Sequence, residues 1–124
     1  MSDLSINISY RAIDKTKVAL IDCDGPLDSE TFFEFEKILD KEINEQNYRI
    51  IINMEHLSYV SSASLGVLMG ALQQVRDGGG DLKVTNVTPK IKNLFDMLGF
   101  SRLLNIYDTD ELALKAFAAE AKKL

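Results

Sequence analysis

The chain has 124 residues, with 14 Lys and Arg against 19 Asp and Glu, a net charge of −5 at neutral pH, and 46% hydrophobic residues. Length and composition fit one globular domain with one core, spanning 1–124. The acidic balance argues against a nucleic-acid partner, which requires a cationic footprint, and a lone Cys (Cys23) with a lone His (His56) excludes an internal disulfide and a His/Cys zinc site.

Met1-Ser2-Asp3 lacks the basic and apolar regions of a secretory leader, so a reduced, cytoplasmic protein is expected. Leu4, Ile6, Ile8 and Tyr10 alternate with polar residues as in a half-buried strand. A turn near Asp14-Lys15 leads into a second strand, Lys17 to Cys23, which makes an opening hairpin. Asp28-Ser29 offers a helix N-cap. Phe32, Phe35, Ile38 or Leu39, and Ile43 then recur at helical spacing over roughly 29–45, opposite a polar face of Glu34, Glu36, Lys37, Asp40 and Glu42. Three consecutive Ile between Arg49 and Met54 read as a central strand covered on both faces.

A second helix is expected from Ser62 or Ala63 to about Asp77, with Leu65, Leu68, Met69, Leu72 and Val75 on one face and Gly78-Gly79-Gly80 as its stop. Asp81 to Val87 follows as a strand. Thr88-Pro89 reads as N-cap and N1 of a third helix, whose C′ residue is Gly99. Leu103 to Tyr107 is a last short strand, and Thr109 caps a final helix with Asp110 and Glu111 at its start and Lys122 and Lys123 at its end. The longest stretch free of Asp, Glu, Lys and Arg runs from His56 to Val75, long enough for a membrane span, but its Ser, Gly, Gln and His residues argue against insertion.

The order ββαβαβαβα predicts an α/β fold: a mixed β-sheet, opening hairpin then parallel βαβ units, packed against about four α-helices. Ligand sites on such sheets lie beyond the carboxyl ends of the strands, which for the central strand is the expected loop Glu55 to Ser64. Its serines suit helix capping, and the same helix N-terminus would stabilise an anion such as a phosphoryl group on Ser62. Catalysis by His56 and a serine is not expected, because no nucleophile-elbow pentapeptide is present. His56 reads instead as a loop or strand-end residue. Gly78-Gly79-Gly80 lacks the Lys-Ser/Thr of a phosphate loop, and Pro26 and Leu27 interrupt the spacing of a calcium loop, so no cofactor and no metal are expected. Gly66 and Gly70 suggest a close approach of the second helix to the sheet or to a neighbouring helix.

Gly25-Pro26-Leu27-Asp28, the serine segment Asn53 to Gly66, Gly79-Gly80 and Ile91-Lys92-Asn93-Leu94-Phe95-Asp96-Met97-Leu98-Gly99 together resemble STAS domains, and within them bacterial anti-sigma-factor antagonists. The resemblance implies a non-enzymatic partner switch. The unphosphorylated antagonist would bind an anti-sigma factor serine kinase and free a sigma factor, phosphorylation would release it, and a PP2C-type phosphatase would reset it. Aligned on Leu65-Gly66, the acceptor is Ser62, and Asp28 matches an acidic position near it. The residue before the acceptor, acidic in the family, is Ser61 here, and Ser64 replaces a Gly, so both are alternative acceptors. The expected partner surface is Asp28, Ser58, Ser61, Ser62, Ala63, Ser64, Leu65 and Gly66 on a monomer or weak dimer. A second reading is a constitutive STAS scaffold or a subunit of a signalling or transport complex, with the serines only capping; a third is a nucleotide-binding module.

Overall fold

The computed structural model describes residues 3–122. Strands β1 (Ser5–Ile13) and β2 (Thr16–Leu27) form the opening hairpin. Its turn residues Asp14 and Lys15 both have positive φ, 50° and 68°, the backbone of a type I′ turn whose twist matches that of the strands it joins. Helix α1 (Phe32–Asn44), strand β3 (Arg49–Val60), helix α2 (Ser62–Asp77), strand β4 (Asp81–Thr85), helix α3 (Pro89–Leu98), strand β5 (Asn105–Tyr107) and helix α4 (Asp110–Lys122) follow. The five strands form one sheet in sequence order, β1 antiparallel to β2 and every later pair parallel. The expected mixed sheet with four helices is therefore the fold.

Alternation along the central strands divides the molecule into layers. Ala19, Ile21, Ile50 and Ile52 point into a large core with Phe35, Leu39, Leu68, Leu72 and Phe95 from α1, α2 and α3. Val18, Leu20 and Ile51 point the other way, against Ala113, Leu114 and Phe117 of α4. Cys23 lies in the larger core at 2% exposure, and burial pushes its thiol up to about 12, which keeps it protonated and inert.

Several boundaries differ from expectation. Helix α1 begins at Phe32 rather than near Ser29, because residues 28–31 form a hydrogen-bonded turn ahead of it. Glu42, expected on the polar face, is fully buried, where its carboxylate accepts the Tyr10 hydroxyl at 2.5 Å. That hydrogen bond, assisted by burial and the Glu42 charge, pushes the Tyr10 phenol up to about 12. The last strand begins at Asn105 rather than Leu103, and a 3-10 turn at Phe100–Arg102 stands ahead of it. Thr88 and Thr109 do cap α3 and α4, accepting from the N–H groups of Ile91 and Leu112, and Gly99 ends α3 in the left-handed conformation. Lys122 stands in the last turn of α4, while Lys123 lies outside the described residues.

Helix α4 is fastened to the sheet by polar groups at both ends. Near its start Asp110 accepts from Asn53 Nδ2 at 3.1 Å and Thr85 Oγ1 at 2.6 Å. Near its end Glu120 meets the fully buried Lys83 ammonium at 2.9 Å, which also pairs with Asp81 at 2.8 Å and lies 4.5 Å from the Phe117 ring centre. Burial alone would lower the Lys83 pKa and raise that of Asp81; their hydrogen bonds and mutual charges outweigh it and move both the opposite way, so the pair stays ionised.

Helix α2 ends at Gly78, and Gly80 passes so close to Tyr48 that an added Cβ would stand 1.8 Å from the Tyr48 carbonyl oxygen. Backbone on both sides leaves no flexible group to move. Gly80→Ala is expected to destabilise the protein by about 3 kcal/mol or more, read from urea unfolding monitored by circular dichroism.

Candidate functional site

The segment expected to be a loop from Glu55 to Ser64 is mostly strand. Strands β2 and β3 stay paired past the core, Asp24 with His56, Gly25 with Leu57, Pro26 with Tyr59 and Leu27 with Val60. Register shifts after Asp22 and after Gly25 place two extra residues in β3. The first is stabilised by Asn53, whose side-chain oxygen accepts the Glu55 N–H at 2.9 Å. Gly25 has φ of +111°, and a Cβ there would come within 2.4 Å of the Asp3 carbonyl oxygen. Only glycine fits this bend. Pro26 lies next to the last residue of β2.

At the joint between the two strand ends and α2, the Leu27 carbonyl accepts the Ser61 N–H at 2.7 Å and the Ser64 hydroxyl at 3.1 Å. Ser61 is the N-cap: its side-chain oxygen accepts the Ser64 N–H at 3.2 Å, and its carbonyl accepts the Leu65 N–H at 3.0 Å. The Ser61 and Ser64 hydroxyls lie 3.0 Å apart; with the Ser64 proton given to Leu27, Ser61 is the donor between them. Ser64 is 1% exposed. Ser62, the first residue of α2, faces solvent, and its hydroxyl has no hydrogen-bond partner among the described residues. The three serines of identical chemistry therefore have three different environments.

Asp28 sits directly after Leu27. Its Oδ1 accepts from Glu30 N at 2.9 Å, Thr31 N at 3.0 Å and the Thr31 hydroxyl at 3.2 Å. The Glu30 N–H, with the Thr31 donors, holds the carboxyl below the usual range, so Asp28 is an ionised turn former. It shares the joint with the serine segment because Leu27 and Val60 are paired. His56 lies on β3 rather than in a loop, its exposed ring 3.7 Å from Glu55.

Two depressions flank the N-terminal half of α2. One, of about 610 Å³, lies between the end of β3 and α3, and Ser58, Tyr59, Ser62, Leu65, Met97 and Leu98 are among its walls. It is mainly apolar, and Lys90 is the single formally charged residue lining it. Met97 is 82% exposed and Leu98 51%; helical periodicity groups Leu98 with Ile91, Leu94 and Phe95 on the apolar face of α3, but in the structure only Ile91 and Phe95 of the helix are buried, and Leu98, in its last turn, is left half exposed. The other depression runs between α1 and α2 over Ala63, Gly66 and Gly70. Both glycines are exposed, and a Cβ at either would meet nothing within 4 Å. Gly66 and Gly70 thus floor an open groove instead of allowing the expected close helix contact.

The fold and this joint define a small α/β domain of the STAS type, with a serine exposed at the helix that follows the central strand. The STAS domain profile matches residues 9–113, and the chain belongs to the STAS domain family. It is 30% identical over 98 residues to an anti-sigma F factor antagonist of Paenibacillus polymyxa, covering 78% of this chain and 84% of the relative. Among solved structures, an anti-sigma factor antagonist of Mycobacterium paratuberculosis superposes with a TM-score of 0.77 at 18% identity, covering 92% of this chain and 95% of the other. The Bacillus cell fate determinant SpoIIAA in its phosphorylated form superposes with a TM-score of 0.66 at 20% identity, covering 89% and 98%. No helix among the described residues is long and apolar enough to cross a membrane.

Stability should separate the three serines. Ser61→Ala is expected to cost about 1 kcal/mol through the lost cap and Ser64→Ala about 1–2 kcal/mol through the lost buried bond, while Ser62→Ala stays within about 0.5 kcal/mol of wild type in denaturant titrations. Asp28 has a pKa lower in the folded than in the unfolded chain, so its contribution is present above the unfolded value of about 3.9 and is lost as pH falls through the folded one. Asp28→Asn should therefore show a shallower loss of melting temperature than wild type as pH drops below about 4.

Proposed function

We propose that this protein is an anti-sigma-factor antagonist that works by partner switching, with Ser62 as the phosphoacceptor. It is read as a binding protein rather than an enzyme. The carrying observation is the division of labour at the joint: Ser61 caps, Ser64 is buried against the Leu27 carbonyl, and Ser62 alone of the three offers an exposed, unpaired hydroxyl. A kinase must reach its acceptor oxygen and remove its proton, which favours Ser62 over both alternatives.

The surroundings suit the two states. Unmodified, the helix edge carrying Ser62, Ala63 and Gly66, with the adjoining apolar groove, presents a surface with no formal charge between His56 and Val75. That surface, with Ser58 and Asp28, is the contact face proposed for an anti-sigma serine kinase. A phosphoryl group on Ser62 would add about −1.5 to −2 charge. The helix dipole and free N–H groups would stabilise it in the isolated protein, whereas an apolar partner face would have to desolvate it. The likeness to an anti-sigma F factor antagonist supports the partner class, and the phosphorylated state of SpoIIAA supports the type of switch. A PP2C-type phosphatase would return the protein to its binding state.

The departures at Ser61 and Ser64 fit this reading. Ser61 supplies the cap that an acidic residue would supply, and the Ser64 side chain is absorbed by its bond to Leu27. Incubation with the cognate anti-sigma kinase and ATP, followed by mass spectrometry, should place one phosphate on Ser62. Ser62→Ala should bind the kinase as tightly as wild type and resist release, and Ser62→Asp should bind at least about tenfold more weakly in calorimetry. Absence of phosphate on Ser62, or unaltered release of Ser62→Ala, would overturn the assignment.

A further inference from the structure

The two ends of the sheet are treated differently by the sequence. The β5 end is three residues long, whereas β1 leaves a nine-residue edge with which no other strand pairs among the described residues. That edge is lightly guarded: it has no proline and no bulge, and Arg11 is its single charge. Because Ile13 and Thr16 flank a two-residue turn, they are a hydrogen-bonded pair, and odd-numbered residues of β1 direct their N–H and C=O groups at β2. The outward groups therefore belong to Ile6, Ile8, Tyr10 and Ala12. Ile8 is 36% and Tyr10 47% exposed, so this face of the free strand presents apolar side-chain surface beside its outward backbone groups.

We propose that the β1 edge is a homodimer seam, in which β1 pairs antiparallel with β1 of a second copy about a two-fold axis through Ser9. The sequence of β1 is complementary to itself in this register. Ile8 faces Tyr10 of the second copy in two equivalent hydrogen-bonded pairs, an aromatic–β-branched match on the α1 side of the sheet. On the opposite side Arg11 faces Asn7 of the second copy and not its own like charge. Asn7 is paired with Asp22 on β2, so the Arg11 row ends on an acidic residue of the second copy about two strand spacings, roughly 10 Å, away. The long Arg side chain spans much of that distance, which gives two proteins of charge −5 a local attraction across the seam. Ser9 meets Ser9 at the axis. Outward donors and acceptors from Ile6 to Ala12 supply about eight backbone hydrogen bonds. A seam of one strand per copy is smaller than the roughly 800 Å² per partner of a standard stable interface, so the dimer is weak and reversible.

Sedimentation equilibrium of the full chain between about 10 μM and 1 mM should show a monomer–dimer equilibrium. Ile8→Pro removes an N–H that points away from β2, and should weaken dimerisation at least tenfold while leaving circular dichroism and melting close to wild type. Ser9→Cys should form an intermolecular disulfide on mild oxidation, since a non-hydrogen-bonded antiparallel pair brings Cα atoms to about 4.5 Å. Ile8→Cys should not, because it faces Tyr10 of the second copy; native Cys23 is buried and silent. A monomer across the whole range, a dimer that survives Ile8→Pro, or cross-linking at Ile8→Cys as readily as at Ser9→Cys would overturn the proposal. The cysteine pair decides the matter if the proline variant fails to fold. None of these variants touches Ser62, so the outcome is separate from that of the kinase experiment.

Discussion

The arrangement of the candidate site depends on one carbonyl. Leu27, the last residue of β2, is 1% exposed, so water cannot satisfy its oxygen. An unsatisfied buried carbonyl costs about 1–3 kcal/mol, and two protein donors, the Ser61 N–H and the Ser64 hydroxyl, prevent that. Both donors belong to the first turn of α2. The end of one strand is thereby tied to the start of the helix that follows its neighbour. Two register shifts and the glycine bend at Gly25 are needed to bring Leu27 beside Val60 in the first place. With the other two serines committed to this joint, Ser62 is turned outward as a consequence of the fold.

The opposite face of the sheet has a different logic. A buried Lys–Asp–Glu cluster is a poor source of net stability, because desolvation offsets most of the Coulomb gain. Its geometry, however, is restrictive. Lys83 needs Asp81, Glu120 and the Phe117 ring in place at once, and Asp110 needs Asn53 and Thr85 at the other end of α4. An apolar helix face alone slides at little cost; polar contacts at both ends fix its position along the strands. The small α4 core therefore positions a helix, while the large core carries most of the apolar burial and supports the joint.

Signals that act within one element were legible from sequence: the Asp14-Lys15 turn, Thr88-Pro89 and Gly99 around α3, the glycine stop of α2 and the threonine cap of α4. Those that depend on distant residues were not. Residues 55–60 include Glu55, His56 and Ser58 and read as loop; they are strand because Gly25 to Leu27 of β2 offers them a paired edge. Glu42 falls on the polar side of a helical wheel but is buried because Tyr10, 32 positions earlier, brings a hydroxyl to it. Sequence left Ser61 and Ser62 as equal candidates for the cap, since the choice between them turns on where β3 ends. The G-x-x-x-G spacing fits both a packed and an open helix face, and only the position of α1 distinguishes them.

The same geometry explains how a modification could act on binding without acting on folding. Tyr59, Met97 and Leu98 are about half exposed or more, so the folded state draws little stability from the surface around Ser62. A dianion at the first position of α2 would be solvated on one side and would meet unpaired N–H groups and the positive end of the helix dipole on the other. Its effect on the isolated domain would be small and favourable. In a complex the water is removed, and the apolar walls beside Ser62 offer one cation, Lys90, to replace it. The penalty would then fall almost entirely on the bound state. A differential of about 3 kcal/mol between free and bound forms changes affinity by more than a hundredfold, enough for one phosphate to exchange partners while the sheet, the joint and both cores stay as they are.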